Sequence, residues 1–165
     1  MIRKPLLVVP LIIGASLTTL AADDLHGPSN GISYPEGWQQ WAPIAVSHRT
    51  DNNTLRVILG NSIAVEAARS GHTNPWPDGA VLGKVVWKDT ELEYWQAATA
   101  PGEFVHAEFM FKDSATYSDT YGWGWARWVG MDQEPFNDGM QVCIACHTPV
   151  KHRDWNFTDP APFPY

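Results

Sequence analysis

Cys143-Ile144-Ala145-Cys146-His147 is the stretch of this 165-residue chain in which reactive side chains stand at a chemically defined spacing. Two intervening residues let two thiols reach the two vinyl groups on one edge of a haem, and the adjoining imidazole is then brought under the iron as proximal ligand. The motif uses both cysteines of the chain. Other chemistries compete for it. A disulfide suits an exported protein but gives no reason for His147. A thioredoxin-like redox pair belongs in a βαβ setting with a helix opening at the first Cys, whereas this motif lies near the C-terminus. A zinc site needs further thiolates or several converging histidines. The reading adopted is one haem c, bound through Cys143 and Cys146, with His147 on the metal.

The other axial position separates an electron carrier from an enzyme or a gas binder, because a carrier has both positions filled by His or Met. The candidates are His26, His48, His72, His106, His152, Met110, Met131 and Met140. None stands in a pattern that commits it to iron, which leans towards an open site. Glu108 lies between His106 and Met110. It is either a carboxylate placed to take protons beside a haem or a surface residue of a half-exposed sheet. Lys84 has the same ambiguity, since Lys88 shares its face. Arg56 and Arg127 can pair with haem propionates or form ordinary surface ion pairs.

Strands must position these groups. Thr54 to Leu59, Ala80 to Trp87, Phe104 to Phe111 and Gly122 to Gly130 are rich in β-branched and aromatic residues. Alternation places Leu82, Lys84, Val86 and Lys88 on one face, and His106, Glu108 and Met110 on one face of the next strand. Trp123, Trp125, Arg127 and Val129 share a face of the last. Ser62 can cap a helix that runs to Arg69 or Ser70 and stops at Gly71. A short helix is expected around Pro35 to Trp41. The fold class is mainly β (α+β), an antiparallel sheet with a few short helices in one domain.

The N-terminus reads as a signal peptide over residues 1–22, leaving a mono-haem domain over 23–165. Arg3 and Lys4 precede an apolar run from Leu6 to Leu20. Cleavage after Ala21 leaves Thr19 and Ala21 at the small-residue positions, whereas cleavage after Ala22 puts Leu20 there. As a membrane anchor the run is short and interrupted by Pro10. A periplasmic location is therefore expected, with no membrane attachment after cleavage. Removing Arg3 and Lys4 takes the net charge from −7 to −9. That excludes nucleic acid and anionic lipid surfaces as partners.

The pattern resembles the cytochrome P-460 family and the related β-type cytochromes c′. The resemblance runs from Tyr34-Pro35 with Trp38 and Trp41, through Asp78-Gly79-Ala80-Val81-Leu82-Gly83-Lys84, Glu108-Phe109-Met110-Phe111-Lys112-Asp113-Ser114 and Gly122-Trp123-Gly124-Trp125. It ends on the haem motif and Asp154-Trp155-Asn156-Phe157-Thr158. The chain departs from the pattern in a longer Asn74-Pro75-Trp76-Pro77 turn and in Asp159-Pro160 after Thr158. The resemblance implies a five-coordinate haem in a mainly antiparallel β fold, often a homodimer. It implies oxidation of hydroxylamine, with nitric oxide participating, and electrons passed to a periplasmic acceptor. Lys84 would be cross-linked to the haem, Glu108 would be the distal proton acceptor and Arg56 a pocket residue. The β-type cytochromes c′ instead imply gas binding without turnover.

Overall fold

The computed structural model describes residues 29–137 and 140–163, so the signal-peptide segment and His26 lie outside the described residues. Six antiparallel strands form one sheet: β1 (Ala42–Arg49), β2 (Thr54–Gly60), β3 (Val81–Leu92), β4 (Trp95–Lys112), β5 (Trp123–Val129) and β6 (Glu134–Pro135). Their order in space is their order in sequence. Helix α1 (Ser62–Ser70) joins β2 to β3, and α2 (Met140–His147) carries the haem motif into a 3₁₀ turn at Thr148–Arg153. The expected mainly β, single-domain architecture is the one observed. Among the described residues no helix is long and apolar enough to cross a membrane.

Each expected strand is present, and most extend further. The β3–β4 pairing continues well past Trp87, to Leu92 opposite Trp95. Strand β1 was not expected, because its burial lacks an alternating pattern. Helix α1 has the expected span and stops at Gly71 in the left-handed region, φ 76°. Its cap is Asn61 and not Ser62, since the Asn61 side chain accepts from Ala64 N at 3.0 Å. The helix expected near Trp38 is a single 3₁₀ turn, Trp38–Gln40. Met140, expected in a loop, opens α2.

Strand alternation gives the sheet two unlike faces. On one, Val85, Ala107, Phe109, Ala126 and Trp128 form a dry core under Ile32 and Trp38. On the other, Leu82, Trp123 and Trp125 meet α1, Met140, Cys143, Ile144 and Trp155. This second face carries the site.

Candidate functional site

Cross-strand register builds one wall of the site in rows. Leu82, Met110 and Trp125 are direct partners across β3, β4 and β5, and form an apolar row. One step along, Ile58, Lys84, Glu108 and Arg127 are partners across β2 to β5. One step further come Arg56, Val86, His106 and Val129. Because side chains repeat every second residue, all three rows look the same way.

They look at α2. A cavity of about 570 Å³ lies between the sheet, the helix and the closing segment, within the range for a bound cofactor. Arg56, Lys84, Glu108, Cys143, Cys146 and His147 all border it, as do Met110, Trp125, Arg127 and Phe157. The haem motif and Arg56, Lys84 and Glu108 thus face one space.

Glu108 is the hub of the polar row. Its Oε2 receives Lys84 Nζ at 2.5 Å, and its Oε1 lies 2.6 Å from an Arg127 guanidinium nitrogen and 3.0 Å from His106 Nε2. Burial acts to raise its pKa. The hydrogen bond from His106 and the charges of Lys84 and Arg127 outweigh that, and hold the carboxyl well below the usual carboxylate range. Arg127 also lies over the Phe136 ring, 4.5 Å from its centroid.

On the other wall, Cys143 and Cys146 stand three residues apart on α2, which puts two neighbouring thiols on one side of the helix. Both are free. Burial pushes the Cys143 thiol up from its ordinary pKa. His147 is wedged between two rings, with Trp125 at 4.6 Å and Phe157 at 5.0 Å. Its Nδ1 lies 2.7 Å from the Trp155 carbonyl, which can only accept. Nδ1 therefore carries the proton, and Nε2 keeps a free lone pair for a metal. Burial also lowers the imidazole pKa, against the Trp155 hydrogen bond, and so favours the neutral ring that ligates.

These residues fit a haem. Two free thiols and a neutral imidazole border one flat-ligand-sized space. The buried Nε atoms of Arg56 and Arg127 and the indole N–H of Trp125 have no hydrogen-bond partner among the described residues. Buried donors of this kind call for a polar or anionic ligand.

The sixth-ligand candidates disperse. His48 pairs with Asp89 at 2.8 Å, and His72 sits by the Ser70 hydroxyl after α1. His106 is engaged by Glu108. Met131 and His152 are exposed and do not border the cavity. Met110 alone of the described candidates borders it, opposite Trp125. Sequence reasoning missed Trp125, Phe157 and the Trp155 carbonyl as supports of His147. Backbone acceptors leave no trace in residue type, and aromatic abundance was the one available hint.

A family model described as Cytochrome P460 matches residues 35–158 of the chain. No curated protein matches it significantly.

Proposed function

The chain belongs to the cytochrome P460 family, whose members are haem proteins, and from that premise we propose that it is an exported c-type haem oxidoreductase acting on small nitrogen compounds such as hydroxylamine or nitric oxide. The observation that carries this reading is one cavity bordered both by the attachment motif and by Lys84, Glu108 and Arg127. When bound, the haem supplies an iron that can hold a small nitrogen compound and pass its electrons to a periplasmic acceptor. The chain's own residues do the rest. Cys143 and Cys146 anchor the ring, and His147 ligates through Nε2. Arg56 and Arg127 offer cationic donors to anionic groups. Glu108 receives protons from substrate N–H groups, while His106, hydrogen-bonded to its Oε1, holds the carboxylate in place.

A carboxylate with three positive or hydrogen-bonding partners is a weak base. Consuming the Lys84 amine in a bond to the ring, as the family resemblance implies, would remove one of those partners and raise the basicity of Glu108. The test is proteolysis of the purified holoprotein. A haem joined to both the Cys143–Cys146 peptide and the Lys84 peptide supports the cross-link, and a haem on the cysteine peptide alone defeats it. Turnover is read as hydroxylamine-dependent reduction of an electron acceptor. It should be lost in Glu108→Ala with the haem spectrum kept.

The same three-way pairing favours a second reading, a nitric oxide binder without turnover, in which Glu108 is a fixed charge. That reading expects rapid nitric oxide binding to ferrous protein and no acceptor reduction.

A further inference from the structure

Two stretches marked in the sequence but unused by the site chemistry meet behind His147: the end of β4 at Lys112, and Asp154-Trp155. Lys112 lies on the cavity-facing side of β4, two residues beyond Met110, though neither it nor Asp154 borders the cavity. Its ammonium donates to both carboxylate oxygens of Asp154, at 2.8 and 3.0 Å. The two side chains are 7% and 10% exposed. A buried ion pair is tolerated when its remaining hydrogen-bonding capacity is met, and here it is. The Trp76 backbone N–H donates to Asp154 Oδ2 at 2.8 Å and Trp123 Nε1–H donates to Oδ1 at 3.3 Å. The Trp123 ring also lies 4.8 Å from the ammonium. The long Asn74-Pro75-Trp76-Pro77 turn thus has a place: Trp76 reaches Asp154, and the Asn74 amide donates to the His152 carbonyl at 3.1 Å.

The backbone gripped in this way is unusual. Asp154 and Trp155 are consecutive non-glycine residues at positive φ, 48° and 65°. Residues with a Cβ hold that region only where their surroundings over-determine it. The reversal points the Trp155 carbonyl back at His147, where it accepts Nδ1–H at 2.7 Å.

We propose that the Lys112–Asp154 pair is the positioning device of the proximal imidazole. By gripping Asp154 it holds the left-handed pair that aims the Trp155 carbonyl at His147 Nδ1, and so sets how strongly Nε2 donates to iron. The inference rests on His147 being the haem ligand. A hydrogen-bonded Nδ1–H makes the imidazole a stronger donor, and stronger donation favours ferric over ferrous iron.

The experiment uses full-length holoprotein with Lys112→Met, Lys112→Arg, Asp154→Asn and the opposite-core control Val85→Ala. Two quantities are read: the haem midpoint potential, and the ferrous iron–histidine stretching frequency by resonance Raman. Lys112→Met should raise the potential and lower the frequency. Lys112→Arg, which keeps the charge, should stay near the parent on both, and Val85→Ala should lose stability without moving either. The proposal is overturned if Lys112→Met moves neither quantity, if Lys112→Arg moves them equally, or if Val85→Ala does. Should Lys112→Met give no holoprotein, Asp154→Asn decides: it keeps the side-chain shape and one acceptor oxygen, for Trp76 or for Trp123, but loses the ion pair. A shift then supports the device and no shift removes it. A five-coordinate ferrous parent lacking an iron–histidine band would defeat the ligand reading itself, which separates that failure from failure of the device.

Discussion

Glu108 is the residue on which the charge balance of the site turns. Its folded pKa is depressed, so between that value and the ordinary carboxylate pKa of about 4.3 the unfolded chain binds a proton that the folded chain does not. Folding stability therefore rises with pH through this window. The contribution is fully present above about pH 5 and is lost progressively as pH falls below that. Glu108→Gln should remove that acid-side slope from denaturant unfolding measured between pH 3 and 7. It should also destabilise the protein by about 2 kcal/mol at neutral pH. That is below the figure for a fully buried pair, because Lys84 keeps 30% of its side-chain surface. A stability profile parallel to the parent's would show that the pairing contributes nothing to folding. No local pattern distinguishes this glutamate from a surface one. Alternation assigned it to a face shared with His106 and Met110, but which face was covered depended on α2 and the closing segment, far along the chain.

At the scale of elements, one side chain connects helix to sheet. Asn61 Oδ1 accepts from both Ala64 N at 3.0 Å and Val81 N at 3.1 Å, and its amide donates to the Gly79 carbonyl at 2.8 Å. It caps α1 and pins the start of β3, three residues before Lys84. Asn61→Ala should cost about 1–2 kcal/mol, the upper part of the range for a lost N-cap, and Asn61→Asp should recover part of it. Equilibrium unfolding in urea measures both. An Asn61→Ala loss no larger than a few tenths of a kcal/mol would mean that water replaces all three bonds. The helix span was legible because Gly71 ends it and apolar residues fill its inner face. The cap was not. Asn61 and Ser62 are both good capping types, and only the path of the backbone between β2 and α1 decides between them.

For the molecule as a whole, the cavity lies between a sheet that is packed on both faces and a short helix that closes it. A ligand that binds only the folded state stabilises what it touches. The haem-free double variant Cys143→Ala/Cys146→Ala should therefore unfold at lower temperature than the holoprotein. Its amide hydrogen exchange should accelerate most in Met140–His147 and the segment to Thr158, and least in β3 and β4. Uniform acceleration across sheet and helix would mean that α2 and the sheet open as one unit. What could be read in advance at this scale was the strand pattern, the fold class and the haem motif, since period-two alternation and Cys spacing are local signals. The unread parts were long-range: the irregular edge strand β1, the helix under the motif, and the salt bridge between Lys112 and Asp154, 42 positions apart.

The strand order in space, identical to the order in sequence, bears on how such a site is assembled in time. Each strand from β2 onwards pairs with one already synthesised, so the wall bearing Lys84, Glu108 and Arg127 can be laid down by successive hairpins as the chain emerges. The two cysteines follow it, on the last helix. The receptacle can thus exist before its anchors arrive, and the anchors stay reachable until the final segment closes over them.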